Sequence, residues 1–267
     1  MDLGLGGAAV AVTGGTKGMG RAIATGFAGE GARVAVLARG QTGLDDTVAA
    51  CRAAGAPDAV GVAVDMTDRA QIDGAFAELD RRWGELHVLV NTVGPGAGRF
   101  EDLDDGDWDT AFALGTMAAV RAVRAALPLL RQAAWGRIVN LAAHSIQRQS
   151  PLLPAYTASK AAVASVSKNL ARSLAPDGIL VNTVSPGTIV TASFTDNLRE
   201  AFEAEGLDAT DPYDVMRWID THFHQPADLG RAGLPDEVAS LTAYLVSRRN
   251  GYVTGACVNV DGGSDFV

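Results

Sequence analysis

The chain has 267 residues, of which 48% are hydrophobic and 20% are charged, and its formal net charge at pH 7 is −9. This composition is that of a globular protein, and it excludes disordered and collagen-like chains. The negative charge argues against nucleic acid and anionic membrane surfaces as partners.

The cysteines and the N terminus indicate the compartment. Cys51 and Cys257 have neither metal-ligand nor C-x-x-C spacing, so we expect free thiols in a reducing compartment, without structural zinc or a disulfide. Asp2 stands where a signal peptide carries positive charge, and no apolar run reaches about 18 residues. We therefore expect a soluble cytoplasmic protein without a membrane partner.

Short apolar runs alternate with longer stretches of helical spacing. The predicted strands are residues 8–12, 33–38, 59–64, 87–91, 137–141, 179–184 and 256–260. The predicted helices are residues 18–28, 44–54, 69–82, 108–131, 155–175 and 236–246. This alternation predicts an α/β fold, a Rossmann-type doubly wound parallel sheet of about seven strands in the order 3-2-1-4-5-6-7, with helices on both faces.

No linker, repeat or low-complexity tract divides the chain, so we expect one domain over residues 1–267. Residues 191–231 are an exception to the regular alternation, because they combine several acidic residues with aromatic ones and show weak periodicity. A solvated acidic excursion would explain this composition. We favour a partly helical substrate lid, because long insertions in compact domains are often functional.

A glycine-rich turn follows the first predicted strand. It reads Thr13-Gly14-Gly15-Thr16-Lys17-Gly18-Met19-Gly20 and leads directly into a helix. Glycines let the backbone turn tightly and approach a pyrophosphate, whose charge is favoured by the free amides at a helix N terminus. This position predicts a dinucleotide-binding turn.

The end of the second predicted strand indicates which dinucleotide is bound. Chains that select NAD place an acid there for the ribose 2′-hydroxyl, whereas this chain reads Val36-Leu37-Ala38-Arg39. Arg39 can form paired hydrogen bonds to a 2′-phosphate, and Lys17 can add a second positive charge. NADP(H) is therefore favoured over NAD(H), although Arg39 alone could be an ordinary surface arginine.

A tyrosine and a lysine lie four residues apart on the helix predicted over residues 155–175. Tyr156 and Lys160 therefore share one helix face. A phenol is a poor acid or base at neutral pH unless a nearby cation favours the phenolate, which Lys160 could do. By itself the pair is common on protein surfaces.

Together with the glycine turn, this pair resembles the short-chain dehydrogenase/reductase family, and the resemblance extends over essentially the whole chain. Asp65 resembles the family's adenine-contacting acid, and residues 182–191 resemble the segment that holds the nicotinamide carboxamide; Asn182, Pro186, Gly187 and Thr191 match its pattern. Residues 231–238 and 252–263 resemble the family's C-terminal pattern. The residues expected to bind the cofactor are Thr13, Gly14, Thr16, Lys17, Gly18, Met19, Gly20, Arg39, Asp65, Met66, Asn91, Gly94, Tyr156, Lys160, Pro186, Gly187, Ile189 and Thr191.

The resemblance implies hydride transfer between a nicotinamide and a carbonyl or carbinol carbon. Tyr156 would give a proton to the developing alkoxide in reduction, or remove it in oxidation. Lys160 would lower the pKa of the tyrosine and hydrogen-bond to the nicotinamide ribose. The family also implies a homotetramer or homodimer.

The sequence departs from the family pattern at three places, one of which is the family's N-N-A-G, here Asn91-Thr92-Val93-Gly94. The family serine, thirteen residues before the tyrosine, is Ala143 here; Ser145 is our preferred replacement and His144 an alternative, and the position could also lack a replacement. The asparagine of the family's proton relay is Gly115, and Thr116 or a water could take over its role.

The sequence therefore predicts an NADP(H)-dependent oxidoreductase for a small-molecule carbonyl or alcohol, with Tyr156, Lys160 and Ser145 as catalytic residues and no metal. An atypical step, such as dehydration, cyclisation or imine reduction, is an alternative suggested by Ala143 and Gly115. An NADPH-binding regulator without turnover is a second alternative, against which the retained Tyr156 and Lys160 argue.

Overall fold

Seven strands form one parallel sheet in a computed structural model, which describes residues 2–264. The strands are β1 Ala9–Thr13, β2 Arg33–Ala38, β3 Ala59–Ala63, β4 Val88–Asn91, β5 Gly136–Leu141, β6 Ile179–Pro186 and β7 Cys257–Val260. Their order is β3-β2-β1-β4-β5-β6-β7, which confirms the predicted order. The order reverses between β1 and β4, and such a reversal opens a crevice at the carboxyl ends of the strands.

Nine helices connect or flank the strands within residues 2–264. They are α1 Gly18–Gly29, α2 Gln41–Ala54, α3 Arg69–Trp83, α4 Asp105–Phe112, α5 Ala118–Gln132, α6 Pro154–Leu174, α7 Ala192–Ala204, α8 Pro212–Phe223 and α9 Pro235–Val246. The single helix predicted over residues 108–131 is interrupted, because a π-helical turn at Ala113–Met117 separates α4 from α5.

Apolar side chains cover both faces of the sheet. Along β1, Val10 and Val12 join the core formed with α1, α2 and α9, whereas Ala9 and Ala11 join the core formed with α3 and α5. Successive residues of a strand point to opposite faces, so a strand covered on both sides needs a continuous apolar run. This explains why the strands lack polar alternation.

The helical stretch Asp105–Gln132 has the length and the mean hydropathy, 1.4, of a membrane span. Its α5 part packs Ala122, Ala126 and Leu130 into the core beside the sheet. The opposite face carries Arg121 and Arg124. We therefore assign the stretch as a core helix.

The segment between β6 and α9 builds a small apolar cluster of its own. Phe202 of α7 is fully buried and stacks on Trp218 of α8, with ring centroids 5.1 Å apart. Val215 and Ile219 complete the contact between the two helices. This packing fixes α7 and α8 beside the carboxyl ends of β5 and β6.

Candidate active site

A cavity of about 510 Å³ opens beyond the carboxyl ends of β5 and β6. One wall is the loop that leads from β5 into α6, and the other is formed by α7 and α8. The residues that line the cavity are Met19, Ala97, Ala142, Ala143, His144, Ser145, Arg148, Ser150, Leu152, Leu153, Tyr156, Pro186, Gly187, Thr188, Ile189, Thr191, Phe194, Leu198, Trp218, Ile219, Phe223 and Gln225. This size and largely apolar lining are typical of small-molecule sites.

Tyr156 and Lys160 lie on the first turns of α6, where Tyr156 faces the cavity. Lys160 is 3% exposed, and its Nζ donates to Val93 O at 3.0 Å and to Leu141 O at 2.8 Å. Because an ammonium carries three hydrogens, one donor of Lys160 remains for a further partner. The Nζ lies 6.0 Å from the centroid of the Tyr156 ring.

Burial shifts the pKa values of both groups towards their neutral forms. It raises the pKa of Tyr156 to about 12 and lowers the pKa of Lys160 to about 8. The resemblance implied the opposite direction for the tyrosine, but removal from water outweighs the influence of a lysine held by two backbone carbonyls. Tyr156 is therefore protonated at neutral pH and can donate a proton.

Ser145 lines the cavity together with Tyr156, whereas Ala143 adds only a methyl group. Ala143 is extended, and the residues after it form a short 3₁₀ turn over His144–Ile146. Ser145 Oγ accepts a hydrogen bond from Thr157 Oγ1 at 2.9 Å, so its own hydrogen is left to donate. His144 also lines the cavity, and its Nδ1 lies 3.3 Å from Pro186 O.

The glycine turn has the shape that a pyrophosphate requires. Gly14 has φ +70° and Gly18 has φ +48°, a backbone region that side chains disfavour. A Cβ on Gly20 would collide with Gly14 O and lie 2.7 Å from Thr92 Oγ1. Helix α1 begins at Gly18, and the side chain of Lys17 at the N-cap position does not cap it. The first-turn amides can therefore donate hydrogen bonds to an anion. This cradle fits a dinucleotide phosphate.

Two exposed cations flank this cradle. Lys17 lies in the turn, with Thr16 partly buried beside it, and Arg39 follows β2. Within residues 2–264 neither cation makes a hydrogen bond or a salt bridge, although the charge of Arg39 helps to keep the pKa of Asp65 low. Both side chains can therefore turn towards a phosphate.

Asp65 and Met66 follow β3 and differ in accessibility. Asp65 Oδ1 accepts from the backbone and the hydroxyl of Thr67, both at 2.8 Å, and these bonds are the main cause of its lowered pKa. Met66 is 4% exposed and packs in the core. A cofactor could contact the backbone of Met66, whereas the Asp65 carboxylate is partly exposed to solvent.

Thr13 and Asn91 lie beneath the crevice and bond to each other. Thr13 Oγ1 donates to Asn91 Oδ1 at 3.2 Å, and Asn91 Nδ2 donates to Asn140 Oδ1 at 2.8 Å. These buried side chains hold β1, β4 and β5 in register. Gly94, three residues beyond Asn91, lies against the lysine, because a Cβ there would be 3.2 Å from Lys160 Nζ.

The segment after β6 joins the glycine turn to the cavity that contains Tyr156. Pro186, Gly187, Ile189 and Thr191 all line the cavity, and Met19 of the glycine turn joins them. A Cβ on Gly18 would lie 3.1 Å from Thr191 Cγ2. The predicted nicotinamide segment therefore lies between the phosphate turn and Tyr156.

The side chain of Asn182, in contrast, forms hydrogen bonds at the edge of the sheet. Its Nδ2 donates to Val253 O at 2.8 Å and its Oδ1 accepts from the Ala256 amide at 3.1 Å. The side chain therefore holds the segment before β7 and does not line the cavity.

Gly115 is explained by close packing against α6. A Cβ there would lie 2.7 Å from Ser159 Cβ and closer still to Ser159 Oγ. Thr116 Oγ1 donates to Ser159 O at 2.9 Å. Both residues thus join the π-helical turn to α6, next to the Tyr156–Lys160 pair.

Sequence reasoning did not identify Arg148, Gln225 or the orientation of the aromatic residues. Arg148 and Gln225 line the cavity, as do Phe194, Trp218 and Phe223 of the insertion. The sequence feature that could have indicated Arg148 is a basic residue in the loop just before Tyr156. The aromatic residues were visible in the sequence, but their direction depends on how α7 packs on α8.

Comparison with protein families matches residues 14–265 to the family described as enoyl-(acyl carrier protein) reductase. The 2-(S)-hydroxypropyl-CoM dehydrogenase 3 of Xanthobacter autotrophicus is 32% identical over 255 residues, which cover 95% of each chain. The monensin polyketide synthase putative ketoacyl reductase of Streptomyces virginiae is 35% identical over 255 residues, or 94% of this chain and 95% of that protein.

Among solved structures, the L-sorbose reductase of Gluconobacter frateurii complexed with NADPH and L-sorbose is similar over the full length. The TM-score is 0.92 at 30% identity, and the match covers 100% of both chains. The match therefore spans the residues of the glycine turn, the cavity wall and the insertion.

Proposed function

Because the chain belongs to the short-chain dehydrogenase/reductase family, whose members act on carbonyl and alcohol substrates, we propose that it is an NADP(H)-dependent carbonyl reductase or alcohol dehydrogenase. The supporting observation is the shared cavity wall of Tyr156, Ser145 and the segment after β6. A carbonyl oxygen between the two hydroxyls would meet one acid and one neutral donor.

In reduction, a bound nicotinamide would supply a hydride to the carbonyl carbon, and Tyr156 would give its phenolic proton to the oxygen. Burial keeps this phenol protonated at neutral pH, so the proton is available when negative charge develops on the oxygen. Ser145, held by Thr157, donates to the same oxygen and orients it. The remaining hydrogen of Lys160 Nζ would hold the nicotinamide ribose.

We favour NADP(H) over NAD(H) on electrostatic grounds. The end of β2 carries Arg39 instead of an acid, and Lys17 is an exposed cation in the glycine turn. A guanidinium forms paired, charge-assisted hydrogen bonds with a phosphate. The relative from Gluconobacter frateurii was solved with NADPH, which agrees with this choice.

Residues 191–231 would act as a substrate lid. Helices α7 and α8 form the wall opposite Tyr156, through Phe194, Leu198, Trp218, Ile219 and Phe223. Excluding water from the reacting carbonyl strengthens the hydrogen bonds of Tyr156 and Ser145.

The experiment is a measurement of cofactor oxidation with a panel of ketones, ketoacyl thioesters and ketoses. We expect turnover of at least one carbonyl class with NADPH and a clear preference for NADPH over NADH. An unsaturated acyl thioester belongs in the panel, because reduction of its double bond without any carbonyl turnover would contradict the proposal.

The cofactor choice is tested by Arg39→Ala. Loss of the guanidinium should weaken NADPH binding about tenfold or more and leave NADH binding unchanged. Arg69→Ala, at an exposed arginine whose Nε lies 3.5 Å from Asp73 Oδ2, is the matched control. Equal weakening of both cofactors, or of neither, would refute the role of Arg39.

A further inference from the structure

Arg148 is the one side chain with a permanent charge among the described residues that line the cavity. It lies in the loop between the 3₁₀ turn and α6, eight residues before Tyr156. None of the described lining residues is acidic, so the cavity has a positive charge on its wall although the whole chain carries −9.

Among the described residues, the guanidinium of Arg148 contacts backbone carbonyls and no acidic side chain. Its guanidinium donates to two backbone carbonyls, Ser264 O and His224 O, the latter at 3.2 Å. Within residues 2–264 no carboxylate lies within 4 Å of it. A guanidinium has five N–H donors, so two carbonyls leave donors available. Partly buried charges are normally paired, because the loss of hydration is otherwise uncompensated.

The polar neighbours of Arg148 suit an anion as well. Gln225 lines the cavity on the opposite wall, and its Nε2 donates to Gln149 O at 3.1 Å, which fixes it next to the arginine loop. Ser150 adds a hydroxyl on the same loop. Along α7 and α8, Phe194, Leu198 and Phe223 contribute apolar side chains to the lining.

From this arrangement we infer that the substrate is a carbonyl compound bearing an oxyanion, a carboxylate or a phosphate-type group, which Arg148 binds while Tyr156 acts on the carbonyl. The inference rests on the proposed function and specifies its substrate class. The apolar wall contacts the carbon chain between the two groups. Arg148 is then a specificity residue of the reaction.

The test compares acids with their esters. Methyl ketones of increasing chain length that end in a carboxylate are assayed with NADPH beside their methyl esters, and a second series ends in a phosphonate or its dimethyl ester. We expect kcat/KM to favour the anion over the ester about 10-fold or more in at least one series, because charge-assisted hydrogen bonds are lost in the ester. The series that shows the preference identifies the anion.

Arg148→Gln should lower this preference to about threefold or less, mainly through a higher KM for the acid, with ester turnover little changed. Arg148→Lys keeps the charge and should retain an intermediate preference. A purely structural role, through His224 and Ser264, would lower acid and ester turnover equally, and that result would overturn the inference. Arg199→Gln, on α7 and paired with Asp196, is the matched control.

The outcomes separate the two proposals. Turnover of esters and acids at equal kcat/KM in the wild-type protein overturns the role of Arg148 and leaves carbonyl reduction intact. Absence of turnover for every carbonyl compound contradicts the proposed function itself.

Discussion

At the scale of single residues, the site combines side chains that the sequence identifies with side chains whose role only packing defines. The proximity of Tyr156 and Lys160 could be predicted from their spacing, since four residues make about one helical turn. The environment of the pair could not be predicted from this spacing. Burial of the phenol, and the hydrogen bonds from Lys160 Nζ to Val93 O and Leu141 O, depend on β4 and β5. Sequence spacing thus predicts proximity but not pKa.

Tyr156→Phe tests the proton donor. Removing the hydroxyl should lower kcat about 100-fold or more, because general acid catalysis is lost, while NADPH affinity in a fluorescence titration stays within about twofold. Tyr252→Phe, at a fully exposed tyrosine, is the control. A Tyr156→Phe protein with undiminished kcat would assign the proton to another group.

Lys160 should make stability depend on pH. Its pKa is about 8 in the folded chain and 10.5 as the reference value for an exposed lysine, so between these values the unfolded chain binds the additional proton. Stability therefore rises with pH in this window, and the wild-type protein should gain about 1 kcal/mol relative to Lys160→Met between pH 7 and pH 9.

Urea unfolding at both pH values measures this difference, with Lys168→Met as the control for removing an exposed lysine from the same helix. A stability difference that is constant from pH 7 to pH 9 would mean that the folded chain keeps the proton on Lys160.

At the scale of secondary-structure elements, strand and helix positions follow well from apolar periodicity, with ends within a few residues. The predicted helix over residues 108–131 shows where this reasoning fails. Its periodicity continues across Ala113–Met117, but these residues form a π-helical turn in which Gly115 packs against Ser159 on α6, which is distant in sequence. Local patterns cannot contain such a contact.

Gly115→Ala tests that contact. The added methyl group would overlap Ser159, so we expect a loss of about 1 to 3 kcal/mol in the free energy of unfolding. In a Ser159→Ala background the loss should be smaller, because the nearest atom, Ser159 Oγ, is gone. Gly74→Ala on α3 is the control, since a Cβ there meets nothing within 4 Å, and it should stabilise the protein slightly. Equal effects at both glycines would refute the packing explanation.

At the scale of the whole molecule, the strand order follows from the alternation of strands and helices together with right-handed crossovers. That order places the glycine turn, the residues after β2 and β3, and the segment after β6 along one edge. The insertion could be recognised by composition, but its packing, Phe202 on Trp218, joins residues whose partnership no periodicity indicates. Arg148 was missed for the same reason, since its position on a cavity wall depends on α8.

Transfer of isotopic label tests the central claim, carbonyl reduction with Tyr156 as acid, most directly. NADPH deuterated at the transferable position of C4 is incubated with a ketone that the protein turns over, and the product is analysed by mass spectrometry and NMR. We predict one deuterium on the carbinol carbon in the wild-type reaction, and a loss of this product in Tyr156→Phe while NADPH still binds. A product without deuterium, or deuterium on a carbon of a former double bond, would contradict the account.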